Sequence, residues 1–176
     1  MSSDRTLKGT CTLILRLRRS FHIPVKSLHG CDLRPNLYAY TGSALGKGSS
    51  SIVGRLGRHF SGTGKSFWYI DHLTRSPDCE VSAAVIVIDS TPRECMANSH
   101  LKRTLGLKRV AGGFGSSDCK DGCGGHLLSI PSRTSLHAIR LLPKIYRELG
   151  LRPLVIPCKG YKGYLECLIV SQVIQE

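Results

Sequence analysis

Tyr38-Ala39-Tyr40-Thr41-Gly42-Ser43-Ala44, followed after a Gly- and Ser-rich step by Arg55 and His59, is the stretch whose reading decides the fold of this chain. Asn36 to Thr41 predicts a strand, and Gly42 to Ser51 holds too much Gly and Ser to continue it. Ile52, Val53, Leu56 and Phe60 then recur at helical spacing, with Arg55 and His59 four residues apart along one edge of the apolar stripe. A strand, a tight turn and a helix in that order bring the phenols of Tyr38 and Tyr40 toward an arginine and a histidine. Such a surface suits a phosphodiester.

Working outward, Thr10 to Leu17 partly alternates, with Cys11, Leu13, Leu15 and Leu17 on one face, and predicts a strand antiparallel to the second. Ser20 to Pro35 connects the two. After an aromatic cluster over 67–73, Glu80 to Asp89 reads as a strand buried on both faces and as the best candidate for a central strand. Thr91 fits a helix N-cap, with Pro92 at the first helical position and Glu94 at the third, and the helix should end before Gly106. A short strand near Leu127 to Ile130 closes this unit. The remainder, residues 131–176, predicts a helix over 136–149 that is kinked or divided at Pro143, then strands near 154–156 and 164–170.

Charge agrees with a phosphate-bearing partner. Lys and Arg outnumber Asp and Glu by 25 to 12 in 176 residues, for a formal net charge of +13. An excess spread along the chain favours nucleic acid, although a merely soluble basic protein has the same composition. A hydrophobic content of 41% is ordinary for a soluble protein, and no apolar run is long enough to span a bilayer. Met1 to Arg5 lacks the apolar core of a secretory signal, so a cytoplasmic location is expected. Eight cysteines in that setting argue against an extracellular disulfide framework.

The motifs also carry a resemblance. Gly9-Thr10-Cys11, then Tyr40-Thr41-Gly42-Ser43-Ala44, Arg55 with His59, and Glu94 follow the order and spacing of the GIY-YIG nuclease superfamily, which the chain resembles over about residues 9–130. It is most similar to a small archaeal and bacterial branch, sometimes fused to endonuclease III, through Trp68 to Leu73, Glu94-Cys95, Gly113 to Cys119, and His126-Leu127. The resemblance implies an α/β fold with a small antiparallel sheet of three core strands flanked by helices, residues 131–176 forming an α-β-β extension. It further implies hydrolysis of nucleic-acid phosphodiesters with one divalent ion, Mg²⁺ or Mn²⁺, at a site of tyrosines, an arginine and a glutamate. Cys11 stands where the first signature strand normally supplies a tyrosine, and Tyr38 is the candidate to fill that place.

Each residue type suits its role. Arg55 offers a planar fork for two phosphate oxygens. Glu94 would hold the divalent ion while leaving it several waters, or would simply complete a capping box with Thr91. Tyr40 is the candidate to accept a proton or position the water, and His59 could bond the nucleophile or leaving oxygen. Lys47, Arg58, Lys108, Arg109, Ser116 and Ser117 are candidate contacts for the nucleic-acid backbone. Trp68 and Tyr69 read either as a base-stacking surface or as core.

Cys119, Cys123 and His126 have spacing that could hold zinc with a fourth ligand from elsewhere, a disulfide or free thiols being equally compatible. The expected function is a metal-dependent endonuclease acting on DNA, with RNA also possible, in repair or on branched or damaged structures. The alternative is a non-catalytic nucleic-acid-binding module on the same scaffold.

Overall fold

The computed structural model describes residues 6–24, 31–110, 112–115, 119, 122–132, 134–159 and 162. In chain order its elements are β1 (Gly9–Leu17), β2 (Phe21–His22), β3 (Asp32–Leu33), β4 (Asn36–Ala44), α1 (Ile52–Ser61), α2 (Tyr69–Thr74), β5 (Cys79–Ile88), α3 (Glu94–Thr104), β6 (Lys108–Arg109), β7 (Leu127–Ile130), α4 (Ser135–Glu148) and β8 (Leu154–Pro157). Among the described residues no helix is long and apolar enough to cross a membrane.

Alternation along β1 sorts its side chains between two cores. Cys11, Leu13, Leu15 and Leu17 join one cluster with Leu56 of α1 and with Ile70 and Leu73 of α2. Ile14 joins another with Ala97 and Leu101 of α3 and with Leu142 and Tyr146 of α4. Helices therefore cover both faces of the sheet, so Thr10 and Thr12, on the more polar side of the alternation in β1, are buried as fully as its leucines. The second core has a polar centre as well: Thr12 Oγ1 lies 2.8 Å from Thr41 Oγ1 and 2.5 Å from the Tyr146 hydroxyl.

β1 pairs antiparallel with β4 over its whole length, Gly9 opposite Ala44 and Leu17 opposite Asn36, and with β5 on its other edge. The antiparallel pair expected from the sequence is thus present. The sheet is larger than the three strands expected, however, with six antiparallel strands in the order β6-β7-β4-β1-β5-β8 and a separate two-stranded β2-β3 ribbon. Of the strands this sheet adds to those three, β7 and β8 lie where the sequence predicts short strands, and only β6, two residues long, is too short for a hydrophobic period to register. β5 is an interior strand, paired with β1 on one edge and β8 on the other, while β4 and β1 hold the middle of the sheet, and β4 does not stop at Thr41 but pairs on to Ala44.

In the C-terminal part, α4 is one helix through Pro143, and β8 pairs with β5. Both elements belong to the sheet and its second core. The strand expected near 164–170 lies outside the described residues.

Candidate nuclease cleft and thiol cluster

The N-terminus of α1 is fixed locally: Ser51 Oγ accepts the Gly54 amide hydrogen at 3.1 Å, a standard N-cap. One turn on, Arg55 folds back toward β4 and donates from Nη1 to the Ser43 carbonyl. Gly42 makes the room, since a Cβ there would come within 2.7 Å of Arg55 Nη2. The guanidinium carbon stands 5.8 Å from the centroid of the Trp68 ring, within cation–π range. Its Nε is buried with no hydrogen-bond partner among the described residues.

Arg55 forms one wall of a cleft of about 690 Å³ whose lining includes Tyr40, Trp68, Glu94, Cys95 and His126. Tyr40 is buried, and burial raises its phenol pKa against the lowering effect of Arg55. It is wedged by Phe114, whose ring meets it edge-on at 5.9 Å, and by Gly115, where a Cβ would come within 2.7 Å of Tyr40 Cε2. Phe67 and Trp68 at the rim are 76% and 44% exposed. Trp68 is thus not a core residue, whereas Tyr69 is half-buried and packs on Phe114.

Glu94 opens α3, but not as part of a capping box. The helix starts at Glu94 itself with Arg93 at the N-cap, and Thr91 stays in the preceding turn, its amide hydrogen held by Asp89 Oδ1 at 2.9 Å. Asp89 also pairs with Arg93 Nε at 2.9 Å, and the Arg93 amide donates to Thr10 Oγ1 at 3.3 Å, tying the helix start to β1. Glu94 Oε2 is left buried and without a hydrogen-bond partner among the described residues.

Two of the catalytic candidates lie outside the cleft. Tyr38 is buried on the same face of β4 as Tyr40, but its hydroxyl donates to the Arg34 carbonyl at 2.6 Å, in the chain entering the strand. It therefore does not fill the place of the phenol missing at Cys11, which is itself buried opposite Gly42. His59 is 1% exposed, and burial together with Arg55 and Arg58 pushes its pKa down to about 3 against the pull of Asp71. It is a neutral ring behind the cleft.

Asp71 organises that hidden layer. Its Oδ2 accepts the amide hydrogens of Phe67 and Trp68, each at 3.0 Å, and its Oδ1 meets Arg58 Nε at 3.2 Å and His59 Nδ1 at 3.4 Å. Burial pushes the Asp71 pKa up, but the two amides and the Arg58 guanidinium outweigh it and hold the carboxyl below its usual range. Arg58 also donates to the Ser49 carbonyl at 3.0 Å, so it serves this network more than a nucleic-acid backbone. Sequence reasoning missed Asp71, although a carboxylate three residues after Trp68 is an N-terminal helix signal.

Lys47 is exposed, and Lys108 and Arg109 are exposed on the edge strand β6. Ser116 and Ser117 lie outside the described residues.

The thiol cluster has the fourth member that spacing alone did not supply. Cys95, next to Glu94, places Sγ 3.0 Å from Cys119 Sγ and 3.6 Å from His126 Nε2, and Cys123 Sγ lies 2.7 Å from Cys119 Sγ and 2.9 Å from His126 Nε2. All four donor atoms fall within 4.8 Å of one another, a Cys₃His set that could hold a metal ion and suits zinc better than Mg²⁺ or Mn²⁺. Burial lowers the pKa of His126, which keeps the ring neutral, and raises those of Cys95 and Cys123, as do neighbouring thiols.

A family model described as "Domain of unknown function DUF123" matches residues 10–149. No curated protein and no solved structure matches the chain.

Proposed function

The chain belongs to the DUF123 family, and we propose that it is a divalent-metal-dependent endonuclease of the GIY-YIG type that hydrolyses phosphodiester bonds of DNA. One observation carries the reading: Glu94 presents a buried, unpartnered carboxylate oxygen in the same cleft as Arg55 and Tyr40. A buried carboxyl oxygen in that condition calls for a partner, and a divalent ion with its waters would supply one. Mg²⁺ or Mn²⁺ held there would supply positive charge and an activated water.

The chain's own groups divide the remaining work. Arg55, fixed by Ser43 and flanked by Trp68, presents its charge to the non-bridging oxygens. Tyr40, whose phenol is ordinarily protonated at neutral pH and is pushed further that way by burial, donates a hydrogen bond to the water or to a phosphate oxygen and does not act as the base. The exposed rings of Phe67 and Trp68 at the rim suit stacking on unpaired bases, which accords with branched or damaged substrates.

Cleavage of plasmid, single-stranded and branched DNA with and without Mg²⁺ or Mn²⁺ tests the reading. Glu94→Gln should abolish cleavage and leave binding largely intact, with binding falling steeply as salt rises. Cleavage by Glu94→Gln at the wild-type rate overturns the metal assignment. The burial of Cys11 in the place of a family tyrosine favours a second reading, a non-catalytic binding module, for which salt-dependent binding without cleavage is the signature.

A further inference from the structure

We propose that Cys95, Cys119, Cys123 and His126 bind one structural zinc ion that fastens the loop packed on Tyr40 to the first turn of α3, and so sets the position of Glu94. The four ligands come from two separate parts of the chain: Cys95 from the start of α3, the others from the loop leading into β7. A disulfide would use two of these groups, whereas a tetrahedral ion uses all four. Zinc–sulfur bonds of about 2.3 Å set sulfur–sulfur edges of about 3.8 Å. The observed edges of 2.7, 3.0 and 3.6 Å need only a small outward shift of the loop to reach them.

The surroundings support the same ion. The His126 ring turns Nε2 toward the sulfurs, 2.9 Å from Cys123 Sγ and 3.6 Å from Cys95 Sγ, and its backbone carbonyl accepts the Thr41 amide hydrogen at 3.1 Å, which ties the ligand to β4. Thr41 in turn adjoins Tyr40. Asn98 of α3 donates to the Gly125 carbonyl at 2.9 Å, and the His126 amide donates to the Phe114 carbonyl at 2.7 Å, so helix and loop are already in register around the cluster. Thiolates favour zinc over the harder Mg²⁺ and Mn²⁺. Four protein ligands close the coordination sphere, so the ion stabilises and does not activate water. On binding, three thiol protons pass to solvent and the site carries a net charge of −1, which favours a cation at Glu94 beside it.

The site stands on the cluster alone, while its effect on Glu94 rests on the nuclease reading. Protein purified under reducing conditions and reconstituted with zinc should hold one ion per chain, and X-ray absorption should show three sulfurs at about 2.3 Å and one nitrogen at about 2.0 Å. Cys119→Ser and Cys123→Ser should lose that ion, and Cys158→Ser should keep it. No stoichiometric zinc in the wild type, a Cys119–Cys123 disulfide found by mass spectrometry of the reconstituted protein, or a different ligand set overturns the proposal without reference to any variant's folding. Removing zinc should also weaken Mn²⁺ binding, followed by electron paramagnetic resonance, roughly tenfold or more. Unchanged Mn²⁺ affinity overturns the positioning role. Zinc bound as described in a protein that cleaves nothing would defeat the nuclease reading alone, and metal-dependent cleavage by a protein that takes up no zinc on reconstitution would defeat this one alone.

Discussion

The guanidinium of Arg55 occupies the space that a side chain at Gly42 would need, a Cβ there falling 2.7 Å from Nη2 and 3.3 Å from Cζ. Gly42→Ala should therefore push Arg55 off the Ser43 carbonyl and away from the Trp68 ring while the strand pairing survives. Loss of one transition-state donor costs about 2.7–4 kcal/mol, so single-turnover cleavage should fall about 10²–10³-fold, with a smaller change in DNA affinity. Trp68, the sole tryptophan, gives a fluorescence readout of the displacement. Unchanged emission and rate would mean that the guanidinium is not confined by residue 42.

The two strand tyrosines should behave differently. Tyr38→Phe removes a hydrogen bond to the Arg34 carbonyl and should cost about 0.5–1.5 kcal/mol of stability with cleavage unaffected. Tyr40→Phe should slow cleavage while changing DNA affinity little. Equal rates for the two variants in single-turnover assays would remove Tyr40 from the chemistry.

His59 makes stability depend on pH. Its pKa lies near 3 in the folded chain, against about 6.5 when unfolded. Between those values the unfolded state binds a proton that the folded state does not. Stability is therefore complete above about pH 6.5 and declines as pH falls, by up to about 1.4 kcal/mol per pH unit. Urea unfolding at pH 7 and pH 5.5 measures the slope, which His59→Gln should flatten even if it lowers stability at both values. His126, whose pKa is also lowered by burial, contributes to the slope in both proteins. An identical slope in the variant would mean that His59 takes up its proton without unfolding.

Asp71→Ala should be among the most damaging substitutions in the chain. It strips the amides of Phe67 and Trp68 of their acceptor and leaves Arg58, a largely buried side chain, without its carboxylate. Breaking a buried pair costs about 3–5 kcal/mol. Urea denaturation should show that loss, and Trp68 emission should shift before global unfolding because the start of α2 is no longer held. A stability change below about 1 kcal/mol, within the range of exposed ion pairs, would show the network to be dispensable.

Local chemistry determined much of this protein from the sequence alone. The apolar alternation of β1, the helical stripe of Ile52, Val53, Leu56 and Phe60, and the doubly buried run in β5 each state a period within a few residues, and all three elements form. Tyr40, Arg55 and Glu94, singled out by the order and spacing of short motifs, line one cleft. Tertiary structure decided what depends on partners distant in the chain. The Tyr38 hydroxyl turned to Arg34, not to the cleft, because a closer carbonyl was available. Asp89 captured the Thr91 amide, so Glu94 was freed of its capping role and left with an unpartnered oxygen. Arg58 and His59 were drawn behind the cleft by Asp71, which lies thirteen residues from Arg58 in the chain yet meets it once α1 and α2 pack together. Cys95 became the fourth member of a Cys₃His set only because α3 lies against the loop that ends at His126. Spacing reports neighbours along the chain, whereas a ligand set is defined by convergence in space, and that convergence comes from helix-on-sheet packing that no short window of sequence contains.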